Sequence, residues 1–126
     1  MGISFFQGLE HIGIKTAHIE KAIQFYTEVL GFEFVNRIKP RDVELVFLKL
    51  GDTVIELVEV TDGKVFSDGV VNHIALRVKD IFKAVEWLKE NSVELIQEEP
   101  MPMGEGRYNI FFRGPSGEKI ELYQGA

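Results

Sequence analysis

No cysteine occurs among the 126 residues, so disulfides, thiolate nucleophiles and thiolate metal ligands are all excluded. Proline is scarce at four residues and histidine at three, so a histidine that falls on a regular element stands out. Long apolar runs are missing too: nothing nears the roughly 20 residues that cross a bilayer. Basic residues are the minority sign, 14 Lys and Arg against 20 Asp and Glu, and the net charge of −6 comes with no basic stripe suited to nucleic acid. Lys39-Pro40-Arg41, the nearest thing to a basic cluster, reads as a charged turn. The opening MGISFFQGLEH has no basic start and no long apolar stretch, and Phe6 sits where myristoylation wants Ser or Thr. These absences together predict a cytoplasmic protein that engages neither nucleic acid nor membrane.

What is present is a globular composition, 45% hydrophobic and 27% charged, in a chain long enough to bury one domain-sized core. It is also written twice. HIGIKTAHIEKAIQFY, starting at His11, matches HIALRVKDIFKAVEWL, starting at His73, at a shift of 62. Later in each half the shift becomes 65, which pairs Ile55 with Ile120, Glu56 with Glu121, Leu57 with Leu122 and Phe47 with Phe112. Period-two alternation predicts strands at 8–15, 32–38, 43–50 and 53–60, and again at 71–78, 93–98, 107–113 and 118–124. Helical spacing predicts helices at 19–30, closed by Gly31, and at 81–91, capped by Asp80. Each half is therefore strand, helix and three strands, and the fold class is α+β with mainly antiparallel sheet. A half of about 60 residues is marginal alone, so the two are expected to share one core across a single domain spanning 1–126. Module one covers about 5–61, module two about 70–125, and the polar DGKVFSDGV stretch near 62–70 connects them.

The duplicated strands carry the chemistry. VIELV at 54–58 and KIELY at 119–123 each set a lone glutamate in an apolar run. Alternation places Ile12, Ile14, Ile74 and Leu76 on a packed face and His11, His73, Lys15 and Arg77 on the opposite one. The same rule packs the isoleucine and leucine beside each glutamate and turns Glu56 and Glu121 away from the helix. Taken singly, such a glutamate or histidine is a half-exposed strand residue. The recurrence of both types, in register, points to a shared ligand set: His11, Glu56, His73 and Glu121 around one divalent ion. Two imidazoles and two carboxylates suit Ni, Co, Zn, Mn or Fe(II). Lys15 and Arg77, on the same faces, are candidate contacts for an anionic part of a substrate. His18 aligns with Asp80 at a helix start and reads as a cap or a surface residue. Phe47, Phe112 and Trp87 read as core or pocket lining. EEPMPMGEGR at 98–107 reads as a loop or a lid.

HIGI, AIQFYTEVLGFE, NHIALRV and GPSGEKIELY together resemble the glyoxalase/bleomycin-resistance/extradiol-dioxygenase, or vicinal oxygen chelate, family over nearly the whole chain. The resemblance implies paired βαβββ modules in a cupped, barrel-like sheet with helices outside. The full His11, Glu56, His73, Glu121 set looks most like bacterial glyoxalase I, whose short chains often prefer Ni or Co. That implies isomerisation of the hemithioacetal of a 2-oxoaldehyde to a 2-hydroxyacyl thioester through an enediolate, as in methylglyoxal detoxification. Glu121 is implied as the base, with Glu56 sharing the role. A small-molecule substrate and a homodimer are implied as well, with the site either within one subunit or shared between two. The alternatives are a methylmalonyl-CoA epimerase-like enzyme, which removes a proton beside a carbonyl in the same way, and a non-catalytic small-molecule-binding resistance protein. Lys15 stands where glyoxalase I carries an arginine for glutathione, and Val60 where it often has asparagine.

Overall fold

Each half begins with a strand whose alternate residues seek a core, and the computed structural model, which describes residues 9–40, 43–61, 68–69 and 71–125, shows where they find it. In the first half β1 (Ile12–Thr16) leads into α1 (Ile19–Gln24), and β2 (Glu33–Ile38), β3 (Leu45–Leu50) and β4 (Thr53–Glu59) follow. The second half runs β5 (Ile74–Arg77), α2 (Ile81–Glu90), two short strands β6 (Glu94–Leu95) and β7 (Met101–Pro102), then β8 (Tyr108–Arg113) and β9 (Lys119–Gln124). The strand order is β1-β4-β3-β2 in one sheet and β5-β9-β8-β6 in the other, with β7 also on β8. The first strand of each half runs parallel to the last and every other pairing is antiparallel. The α+β, mainly antiparallel expectation therefore holds, and the described residues form two open mixed sheets.

The duplication reaches the register itself. Ile12, Gly13 and Ile14 oppose Ile55, Glu56 and Leu57, just as Ile74, Ala75 and Leu76 oppose Ile120, Glu121 and Leu122. One face of each sheet is consequently apolar and buried. Val46, Leu48, Ile55 and Leu57 of the first half join Ile110, Phe112, Ile120 and Leu122 of the second in one core, with Ile81, Val85 and Leu88 from α2. Each such side chain contributes ~1.5–3 kcal/mol by leaving water. The halves are also stapled by polar contacts on this helix side. Tyr26 Oη donates to Glu118 Oε2 at 2.9 Å, Ser116 Oγ to Thr16 Oγ1 at 2.5 Å, and Trp87 Nε1 to the Val29 carbonyl at 2.8 Å. Burial and the facing Glu118 carboxylate push the Tyr26 hydroxyl far above its ordinary pKa, so it stays a neutral donor.

Three expectations need correction. The helix predicted over 19–30 is α-helical only to Gln24; Phe25–Val29 is a π-helical turn in which the Leu30 amide reaches back to the Phe25 carbonyl, and Gly31 at φ +82° ends it. Fourteen positions separate Ile19 from Glu33, against thirteen between the equivalent Ile81 and Glu94, so the wider turn takes up one surplus residue. The strand predicted at 93–98 survives only as Glu94–Leu95, and the edge of β8 is completed by Met101–Pro102. That pairing, with a tight turn in which the Met103 amide meets the Arg107 carbonyl, makes 101–107 part of the sheet edge. Finally, Phe47 opposes Glu56 and Phe111 opposes Glu121, so the counterpart of Phe47 is Phe111; Phe112 is buried core, like Leu48.

The helix starts differ as their sequences require. Asp80 Oδ1 accepts from the Phe82 and Lys83 amides at 3.1 and 3.2 Å, the expected cap. His18 makes no such side-chain bond and lies exposed, the surface alternative. Most of the connector expected at 62–70 lies outside the described residues, as does Arg41; Asp68 is described and is held by Arg113 at 2.6 and 3.2 Å. Among the described residues, no helix is long and apolar enough to cross a membrane.

Candidate metal centre

The sheet faces turned away from the helices carry the predicted ligands. His11 immediately precedes β1 and Glu56 lies mid-β4, opposite Gly13, as Glu121 lies opposite Ala75. His11 Nε2 stands 3.5 Å from Glu56 Oε1, with the side chains 34% and 18% exposed. In the second half His73 Nε2 stands 3.1 Å from Glu121 Oε1, at 35% and 11%. A phenylalanine stands edge-on to each imidazole: Phe47 against His11 with ring centres 5.6 Å apart, Phe111 against His73 at 5.1 Å. Each half thus presents an imidazole and a carboxylate side by side, walled by an aromatic ring and half open to solvent.

The chain brings the four residues together two by two, not four at once. Among the described residues, no three His, Asp or Glu side chains lie close enough to hold one ion. The two pairs stand on different sheets, and Tyr26–Glu118, Ser116–Thr16 and Trp87–Val29 are contacts that join the two halves.

Each pair nevertheless fits a metal. Two donors bound to one ion at roughly 2.1 Å and a right angle lie about 3 Å apart, close to the two spacings seen. His73 Nδ1 lies 3.0 Å from Asn72 Oδ1. With its proton shared there, Nε2 is left as a lone pair facing a carboxylate oxygen. Two acceptors at that distance call for a cation or a proton between them.

Two residues that sequence reasoning passed over belong to this site. Phe111 was hidden by the shift of 65, which holds for β9 but not for β8. Asn109 Nδ2 donates to Glu121 Oε2 at 2.9 Å, one diagonal step across from β9. Counting strand alternation back from Arg113 would have put Asn109 and Phe111 on the ligand face. The candidate substrate contacts stand on different sheets: Lys15 is exposed on β1 opposite Val58, Arg77 exposed on β5 opposite Tyr123. Trp87 is half exposed and spent on Val29. A cavity of about 440 Å³ between β1 and the start of β5 reaches Lys15 and His73 but not the other three ligands.

Residues 8–122 match the family model described as Glyoxalase/Bleomycin resistance protein/Dioxygenase superfamily. The chain is 34% identical to the uncharacterized protein YwbC of Bacillus subtilis, over 92% of this chain and 96% of that one. It is 32% identical to the lactoylglutathione lyase of Neisseria meningitidis serogroup A, over 92% of this chain and 89% of that one. Among solved structures, a glyoxalase family protein from Enterococcus faecalis superposes with a TM-score of 0.78 at 25% identity, covering 95% of this chain and 99% of that one.

Proposed function

Because the chain belongs to the Glyoxalase/Bleomycin resistance protein/Dioxygenase superfamily, we propose that it is a metal-dependent glyoxalase I-like lyase acting on the hemithioacetal of a 2-oxoaldehyde. The observation that carries this reading is the repeated pair: His11 with Glu56 and His73 with Glu121, on matching strand registers and open faces. One pair offers only two donors. A homodimer completes the set, setting His11 and Glu56 of one chain against His73 and Glu121 of the partner subunit around one divalent ion, Ni or Co by preference.

When bound, the ion supplies Lewis-acid stabilisation of negative charge developing on the substrate oxygens. The residues do the rest. Glu121 takes the proton from the hemithioacetal carbon, and the electron pair left behind moves into the bond to the neighbouring carbon. The same carboxylate returns the proton to that neighbour, and the hydroxyl proton changes oxygen, which leaves a 2-hydroxyacyl thioester with no net oxidation. Phe47 and Phe111 keep bulk water from the carboxylates. Lys15 and Arg77 meet anionic parts of the thiol. A lysine supplies charge without the planar fork of an arginine, so glutathione is one candidate thiol among several.

The test is direct. Metal-free protein is reloaded with Ni or Zn and mixed with methylglyoxal plus glutathione, then plus other low-molecular-weight thiols, while thioester absorbance is followed. Turnover with at least one thiol, dependent on the ion, is the expected result. An ion-loaded protein silent with every thiol would overturn the lyase reading.

A further inference from the structure

The two metal-facing pairs are built to different standards, and we infer that Asn109, helped by Asn72, positions the His73–Glu121 pair as a pre-set half-site for a divalent cation, while the His11–Glu56 pair is set only when the ion arrives. This rests on the metal-dependent reading above and adds to it two residues and an order of assembly.

Glu121 is held at both oxygens. Oε2 accepts from the Asn109 amide at 2.9 Å, so the carboxylate cannot rotate freely, and Oε1 is the oxygen left beside His73 Nε2 at 3.1 Å. Behind the imidazole, Asn72 Oδ1 sits 3.0 Å from Nδ1 and fixes the ring with Nε2 toward Glu121. Asn72, His73, Glu121 and Asn109 therefore form one line of contacts. Such outer partners orient ligands, and losing one typically weakens metal binding about 10–100-fold. The first half has the same backbone register but not these side chains. Leu45 occupies the place of Asn109, one diagonal step from Glu56, and Glu10 occupies the place of Asn72. Leucine has no donor for the Glu56 carboxylate, so nothing at that position can do what Asn109 does for Glu121. The looser geometry agrees: the first pair is 3.5 Å apart and its carboxylate is the more exposed.

Asn109 touches Glu121 and not the ion, so it is a positioning residue. The decisive measurement is Ni²⁺ affinity, by competition against a chromophoric chelator, for the full chain and for Asn109→Leu, which copies the first half. The expected result is affinity lowered at least tenfold, with the melting temperature of metal-free protein moved by only a few degrees. In the thiol assay kcat falls while KM stays within about threefold. Asn109→Gln, which keeps an amide donor, recovers part of the affinity. Affinity for Asn109→Leu within twofold of the unaltered protein would overturn the inference, as would a gain in melting temperature with no change in binding. If Asn109→Leu does not fold, Asn109→Ser is measured against the same limits. Failure of the unaltered protein to bind Ni²⁺ would overturn the metal-dependent reading as a whole; normal binding by the variant would overturn this inference alone.

Discussion

The first half of the chain and the second share a backbone plan down to which residue faces which, yet they differ in the turns, the helices and the bracing of the glutamate. β3 turns into β4 through the two residues Gly51 and Asp52, whereas β8 turns into β9 through the five residues 114–118. The longer turn folds over itself. Glu118 accepts from the Ser116 amide at 2.8 Å and from Tyr26 at 2.9 Å, and so anchors the second half to the first. A duplicated fold can thus keep one copy plain and use the other as the fastening. The copy that fastens also holds the more buried carboxylate, Glu121, whose side chain is 11% exposed against 18% for Glu56.

The largest effect expected from breaking this comparison falls on the two glutamates. Glu121→Gln should cut kcat by about 10²–10⁴-fold, the scale of a lost general base, while far-ultraviolet circular dichroism is retained. Glu56→Gln should act mainly by weakening ion affinity. If each complete site takes one pair from each of two chains, mixing and re-annealing His11→Ala with Glu121→Gln must regenerate one intact site per hybrid dimer. Recovered turnover is the expected outcome; two inactive proteins that stay inactive after subunit exchange would confine the site to one chain.

The turns come next. At Gly114 an added Cβ would lie 2.3 Å from the Glu118 carboxyl carbon, and that side chain is pinned by two partners. Gly114→Ala should therefore cost about 1–3 kcal/mol in urea unfolding, the scale of an overpacked site. Gly51 has nothing within 4 Å of that position but adopts φ +59°, so Gly51→Ala should cost only about 1 kcal/mol, from backbone strain alone. Equal costs would mean that the second turn is no tighter than the first.

Tyr26→Phe tests the fastening directly, removing a hydrogen bond to a charged group worth about 1.5–3 kcal/mol. The burial that raises the Tyr26 pKa makes its contribution complete below the ordinary tyrosine range and progressively lost as pH rises above that range toward the raised folded value. The unaltered protein should therefore lose its advantage over Tyr26→Phe at high pH. The smallest effect belongs to Asp68, whose carboxyl is held below the usual aspartate range by its hydrogen bonds to Arg113. A lowered pKa contributes stability above the unfolded value, lost as pH falls. The slight excess in melting temperature over Asp68→Asn should vanish on acidification and be unaffected by alkali.

Much of this was legible without coordinates, because the signals were periodic. His11, Glu56, His73 and Glu121 could be sorted onto the faces of their own sheets by counting in twos, and the structure sets them there as two separate pairs. Asp80 announced its cap in the same way. Illegible features share a cause: pattern fixes a face but not a partner across a gap of unknown length. Phe111 and Asn109 were lost because one shift of 65 was carried across the later part of each half, whereas β8 and β9 are offset from their first-half counterparts by different amounts. The separation of the two ligand pairs, which stand on different sheets, was equally hidden. The split edge strand escaped because Glu98, Glu99 and Pro100 interrupt a pairing that β8 resumes at Met101.

The π-helical turn at Phe25–Val29 shows how twin segments drift apart while their architecture persists. One surplus residue swells a single coil, and β3 and β4 downstream keep the same pairing as β8 and β9. The widened coil thus hides a difference in length that the sheets would otherwise have to carry as a slipped register.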